Sequence, residues 1–312
     1  MARIALVLGS GGARGYAHIG VIDELEARGH EIVAVSGCSM GAVIGGIYAA
    51  GRLEEYRDWV TRLSFLDVLR LVDIAWGAMG AMRATKIMGR LECLLSDICI
   101  EDLPLSFTAV ATDMSAQREV WFQRGSLLQA IRASIAIPGL ITPLRHEGRL
   151  LADGGLLNPL PIIPAMAASA EWIVAVNATA PSPRNVTLEE LLPVALPTPR
   201  EDRSSWIALV KQRWMPAGAG DDGVAASESQ AEPEGRAERA WGKLDLMLRS
   251  FDITQAALAQ YKIAGYPPDV LVNIPKSVCG SHEFQRAGPM IELGRHLARD
   301  ALDRFNAGYS EA

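Results

Sequence analysis

The sequence predicts an α/β fold, with a mostly parallel central sheet and helices on both faces. Three observations predict it. Short runs of β-branched and aliphatic residues alternate with longer segments of helical character. The first run, Arg3 to Leu8 (RIALVL), is β-branched and aliphatic after its arginine, as a strand buried on both sides is. The first two joints from strand to helix are rich in glycine: Gly9 to Gly15 after the first strand, and Gly37-Cys-Ser-Met-Gly41 after the second.

The elements follow in order. His18 to Arg28 reads as a helix with Ile19, Ile22 and Leu25 on one face, Glu31 to Val35 as a strand, and Met40 to Ala50 as a helix of small residues. Later strands are expected over Phe107 to Thr112, Glu119 to Phe122, Arg149 to Leu151, Trp172 to Asn177 and Asp269 to Ile274. Helices are expected over Leu53 to Leu63, Thr85 to Asp97, Ser126 to Ala133, Ile162 to Ala168, Lys243 to Tyr261 and Pro289 to Asn306. No internal repeat is visible.

One segment breaks the pattern. Ala217 to Ala240 is rich in Gly, Ala, Ser and Glu and has no aromatic residue. Six acidic residues against two arginines leave it at −4. Such a stretch buries too little apolar surface to offset its ordering entropy, so a disordered acidic insertion is expected at 217–240 within one catalytic domain spanning 1–312.

Composition narrows the function. Hydrophobic residues make up 49% of the 312, enough for a sizeable core. The net charge is −6 and no basic tract occurs, which argues against a nucleic-acid partner. Cys38, Cys93, Cys99 and Cys279 show neither paired zinc spacing nor a disulfide framework. A reducing, cytoplasmic setting is expected, and no metal site. The start, Met1-Ala-Arg-Ile4, enters a strand without the apolar run of a signal peptide. No segment offers the roughly 20 uninterrupted apolar residues of a membrane span; Ile32 to Gly51 comes nearest.

Three motifs carry chemistry. Gly37-x-Ser39-x-Gly41, between strand and helix, is a nucleophile-elbow pattern: the flanking glycines let the backbone double back and push the hydroxyl out above the sheet. The helix that follows turns its positive end toward the serine. Gly9-Ser-Gly-Gly-Ala-Arg-Gly15 fits neither a dinucleotide loop, since Arg14 stands where the third glycine belongs, nor a Walker loop, since its Lys and Ser/Thr are missing. What remains is a run of backbone N–H groups at a helix start, an anion site of the kind an oxyanion hole requires. The third motif is Asp153-Gly154-Gly155, after a short strand; alone it reads as a turn. A serine nucleophile needs a base. By the order Ser…Asp…His, His282 in the loop after the last strand is a triad candidate. His296 falls in a charged helix, His18 suits packing behind the glycine loop, and His30 and His146 complete the five.

In this order, "GSGGARGYAHIGVI", "GCSMG" and, over a hundred residues later, "DGG" resemble the patatin-like phospholipase family; "ATDMSAQREVWF" and "AIRASIAIPGLITPL" resemble its short bacterial branch. The resemblance covers most of Met1 to Asn177 and more loosely the final strand and helix. It implies a three-layer patatin-like fold and a Ser-Asp dyad, with Ser39 as nucleophile and Asp153 as direct base. It also implies an oxyanion hole of backbone N–H groups around Gly11, Gly12 and Arg14, with Gly15, Gly37, Gly41, Gly154 and Gly155 supporting the motifs. Ser10 stands where the family's loop begins with glycine. The implied reaction is hydrolysis of a lipid ester, a phospholipid or lysophospholipid, through an acyl-enzyme and without metal or organic cofactor. Two other readings stay open: an esterase or thioesterase whose triad uses His282, and a degenerate regulatory relative, against which the three intact motifs argue.

On the substrate side, Phe65 to Met82 is either core or a cover over an acyl pocket. Arg200 to Trp214 sets Trp206, Ile207, Val210 and Trp214 on one helical face beside Arg203, Lys211 and Arg213. That suits a peripheral, reversible membrane contact or an ordinary surface helix.

Overall fold

A computed structural model describes residues 1–71, 85–182, 186–192 and 243–310. Residues 72–82 of the apolar stretch, the 200–214 helix and the 217–240 insertion lie outside them.

In chain order the strands are β1 (Arg3–Leu8), β2 (Glu31–Cys38), β3 (Ser106–Asp113), β4 (Arg118–Phe122), β5 (Leu144–His146), β6 (Arg149–Asp153), β7 (Trp172–Ala180) and β8 (Val270–Pro275). The helices are α1 (Ala17–Ala27), α2 (Met40–Ala49), α3 (Leu53–Thr61), α4 (Phe65–Leu71), α5 (Thr85–Leu95), α6 (Leu127–Ser134), α7 (Ile162–Met166), α8 (Leu188–Leu191), α9 (Lys243–Gly265) and α10 (Ala287–Ser310).

All eight strands join one sheet, ordered β5-β6-β3-β2-β1-β7-β8, with β4 on β3. The five strands from β3 to β8 along that order are parallel. β4, β5 and β6 pair antiparallel at one side. Central β1 shows why both faces are covered. Ile4, Leu6 and Leu8 pack with α1, α2, α6 and α10 on one face. Ala5 and Val7 face α7 and Ala259 of α9 on the other. The result is three layers, helix–sheet–helix, as the alternation of elements requires.

Local chemistry sets the ends. Ser126 caps α6, its hydroxyl accepting from the Gln129 N–H at 3.3 Å. α8 opens on a capping box between Thr187 and Glu190. α1 and α10 cross at Gly20 and Gly294, where a Cβ on Gly20 would overlap the Ile291 carbonyl and one on Gly294 the Ala17 carbonyl. Strand β2 runs three residues past Val35 because Ser36 and Gly37 still pair with Val7 and Leu8 of β1. The short β5 and helices α4 and α8 are additions to the sequence expectation.

Candidate active site

Two strand ends bring the predicted residues together. β2 lies along one edge of β3, its last residue Cys38 opposite Val110. β6 runs the other way, its last residue Asp153 opposite Ala111. β4 fills the opposite edge of β3 at Val110 and Ala111, so β2 and β6 must share one edge and meet head-on. Ser39 follows the end of one strand; Asp153 is the end of the other.

Ser39 has φ +54° and ψ −121°, the strained turn of an elbow. The glycines beside it are required by contact. A Cβ on Gly37 would overlap the Gly41 carbonyl, and one on Gly41 the Leu8 carbonyl. The Ser39 N–H is held by Ser134 Oγ at 2.9 Å, which in turn donates to the Val110 carbonyl at 2.6 Å. Ser39 is the N-cap of α2, so the positive end of that helix lies at its hydroxyl.

Ser39 Oγ donates to Asp153 Oδ2 at 2.6 Å. Asp153 Oδ1 accepts from the Gly155 N–H at 2.7 Å and lies 4.0 Å from the Cys38 thiol. The Asp153 backbone is pinned as well, its N–H donating to Ala136 O and its carbonyl accepting from Thr112 Oγ1. The carboxyl is fully buried. Burial pushes its pKa up to about 7, against the opposing hydrogen bonds from Ser39 and Gly155. The Cys38 thiol is likewise pushed well up by burial and by the neighbouring Asp153.

The glycine loop closes the other side. Gly12 has φ +57°, and a Cβ there would overlap the Ser281 carbonyl. Ser10 and Ala13 donate their N–H groups to Pro159 O and Ser281 O. Among the described residues the N–H groups of Gly11 and Gly12 between them have no acceptor. Gly12 stands on the wall of the cavity that holds Ser39, whereas Gly11 packs on Ala178. The Arg14 side chain is engaged within the protein: it donates to Gly11 O, Lys276 O and Asp252 Oδ1. Gly15 packs against Met40, and Gly154 against the Val110 carbonyl and the Cys38 thiol.

His18 is buried, its Nε2 bonded to Gly9 O at 2.8 Å, and burial lowers its pKa to about 4. It stays neutral and anchors the loop. His282 lines the cavity beside Ser39. No hydrogen bond joins it to Ser39 or Asp153 among the described residues. His296 pairs with Asp300 on α10, and His30 and His146 meet the rings of Trp172 and Phe122, the first tilted and the second edge-on. Among the described residues no three His, Cys, Asp or Glu side chains come together as metal ligands.

The cavity has a volume of about 260 Å³. Its polar end is Ser10, Gly12, Ser39 and Gln255, and its body is apolar, with Val43, Trp59, Leu91 and Ile135 among its walls. Val68 of α4 belongs to that wall, whereas Phe65 and Leu66 of the same helix are exposed. Two further polar residues of its lining, Asp252 and Gln255, are ordinary positions of a long helix in the sequence.

An elbow serine bonded to a buried carboxylate thus lies beside an apolar cavity and backbone N–H groups that have no acceptor among the described residues. The patatin-like phospholipase family profile matches residues 6–166, and the chain belongs to that family, whose common activity is the hydrolysis of lipid esters. An uncharacterized NTE family protein of Mycobacterium tuberculosis is 44% identical over 99% of this chain and 94% of its own length. Human patatin-like phospholipase domain-containing protein 6 is 35% identical over 56% of this chain and 13% of its own length. The crystal structure of VipD from Legionella pneumophila aligns with a TM-score of 0.43 at 16% identity, over 97% of this chain and 66% of that one. No helix among the described residues is long and apolar enough to cross a membrane.

Proposed function

We propose that this protein is a serine acyl hydrolase of phospholipids or lysophospholipids that works through a Ser39–Asp153 dyad and an acyl-enzyme. Asp153 Oδ2 takes the Ser39 proton as Oγ attacks the ester carbonyl. The carbonyl electron pair moves onto oxygen, where the Gly12 N–H and the positive end of α2 receive the charge. Collapse expels the alcohol, which leaves with the proton held by Asp153. Water then gives a proton to Asp153 and its oxygen to the acyl carbon, and Ser39 regains the proton as the fatty acid departs.

The observation that carries this reading is the direct 2.6 Å bond between Ser39 Oγ and Asp153 Oδ2 at the polar end of an apolar cavity. The cavity suits an acyl chain, and the four cysteines, all free, suit a reducing compartment. A triad esterase using His282 is the second reading, kept because His282 borders the same cavity.

The test is labelling of the purified protein with a fluorophosphonate probe, then assay against a panel of phospholipids, lysophospholipids and short esters. Labelling confined to Ser39, with release of fatty acid from at least one lipid, is expected. No labelling and no release would overturn the proposal.

A further inference from the structure

Helix α9 (Lys243–Gly265) starts well beyond the stretch matched by the family profile, 6–166, yet grips the glycine loop at both ends. Asp252 and Gln255 are three residues apart, hence neighbours on one helix face, and both line the cavity. Gln255 Oε1 accepts from Ser10 Oγ at 3.1 Å. Asp252 Oδ1 accepts from Arg14 Nη2 at 3.1 Å. Ser10 and Arg14 bracket Gly11 and Gly12. Gln255 also packs against Gly155, whose N–H binds the Asp153 carboxylate.

Arg14 is only 3% exposed, and Asp252 is its one carboxylate partner among the described residues. A buried guanidinium stripped of its counterion is strongly disfavoured and must shift toward another anion or water. The same guanidinium donates Nε–H to the Gly11 carbonyl at 3.2 Å. In a trans peptide the C=O of one residue and the N–H of the next point in opposite directions. Holding Gly11 O toward Arg14 therefore turns the Gly12 N–H away from it, at the cavity wall to which Gly12 belongs.

We infer that Asp252, through Arg14, sets the orientation of the Gly12 N–H that receives the oxyanion, and that Gln255 steadies the same loop through Ser10. Both are positioning residues, and the inference rests on the acyl-transfer reading above.

The test uses the full chain and two readouts, the rate of fluorophosphonate labelling and kcat and KM for a short soluble ester. Loss of one oxyanion donor costs about 10²–10³ in kcat, so partial misalignment in Asp252→Ala should cost about 10-fold or more. KM should stay within about 2-fold, because only the transition state loses an interaction. Asp252→Asn keeps an acceptor but not the charge, and should fall between wild type and Asp252→Ala. In an Arg14→Lys background, which already lacks the fork that reaches Gly11 and Asp252 together, neither Asp252 change should cost more. Wild-type kcat in folded Asp252→Ala, or losses that simply add in the double variants, would overturn the inference. If Asp252→Ala does not fold, Asp252→Asn decides, and a wild-type labelling rate in it overturns the inference. A wild-type chain that is neither labelled nor active would overturn the acyl-transfer reading first and this one with it. A labelled wild type with unaffected Asp252 variants overturns this one alone.

Discussion

The Ser39 hydroxyl donates directly to Asp153 Oδ2, and no imidazole stands between them. Loss of a triad acid in a serine hydrolase costs about 10⁴-fold in kcat, and loss of a direct base should cost at least as much, so Asp153→Asn is expected at or below that level. His282→Ala should stay within about 3-fold of wild type, the change expected of a residue that only borders the cavity. Steady-state kinetics on a short ester checks both. A collapse in His282→Ala, with an unchanged circular dichroism spectrum, would install the triad instead.

The pKa of Asp153 sets a pH profile. The base must be ionised to take the serine proton, so kcat/KM should rise with pH through an apparent pKa of about 7. Stability should move the opposite way. Between the ordinary 3.8 and about 7 the folded chain holds this proton more tightly than the unfolded chain, so stability falls as pH rises through that window. Asp153→Asn escapes the penalty. Its melting temperature should exceed wild type above pH 7 and converge with it toward pH 4. A variant less stable than wild type at pH 8 would contradict the cause assigned to the shift.

Val43 lies one turn beyond Ser39 on α2 and faces the cavity. Val43→Phe should shorten the space for an acyl chain. Because each methylene excluded from an apolar pocket is worth about 10-fold or more, kcat/KM for a twelve-carbon ester should drop at least that far. A four-carbon ester should be hydrolysed within about 3-fold of wild type, its chain ending before the obstruction. Equal losses on both esters would place the acyl chain elsewhere.

Gly20 brings the backbones of α1 and α10 together. A methyl group there meets the Ile291 carbonyl and the Arg295 N–H, neither of which is a flexible side-chain end. Gly20→Ala should therefore destabilise the fold by about 3 kcal/mol, the upper range of overpacking. Urea unfolding followed by circular dichroism measures it, and a change below 1 kcal/mol would show that the two helices can separate freely.

Thiol accessibility tests the placement of the site without any substrate. Cys93 is exposed and Cys99 partly so, while Cys38 and Cys279 are buried with pKa values raised by burial, Cys279 to about 12. A disulfide reagent should titrate Cys93 quickly, Cys99 more slowly, and the remaining two only in denaturant. Fast reaction of Cys38 in the native protein would mean that the junction of β2 and β6 is open.

Much of this was legible from local pattern. The apolar runs of β1 and β2 and the glycines at Gly37 and Gly41 mark strand, elbow and helix because each depends only on neighbours in sequence. The pairing of Ser39 with Asp153 is different. Asp153-Gly-Gly reads locally as a turn, and only resemblance joined it to the serine; the cause, two strands meeting on one edge of β3, is a fact of pairing over long separation. β5, at three residues beside Pro143, is too short to show a period. α8 carried a readable signal in Thr187-x-x-Glu190 that went unused. Asp252 and Gln255 carried none, since a polar residue turned toward a buried loop looks like any other polar position on a helix.

The junction of β2 with β6 also bears on how the protein matures. Ser39 and Asp153 are separated by 114 residues. β2 and β6 do not pair with each other, so Ser39 and Asp153 meet only when both strands have paired with β3. Pairings of such long separation close late, after local helices and neighbouring strands have formed. A nascent or partly refolded chain can therefore present the Ser39 elbow without Asp153 beside it. On the acyl-transfer reading proposed above, the half-built chain is chemically silent, and hydrolysis begins only once the sheet is complete.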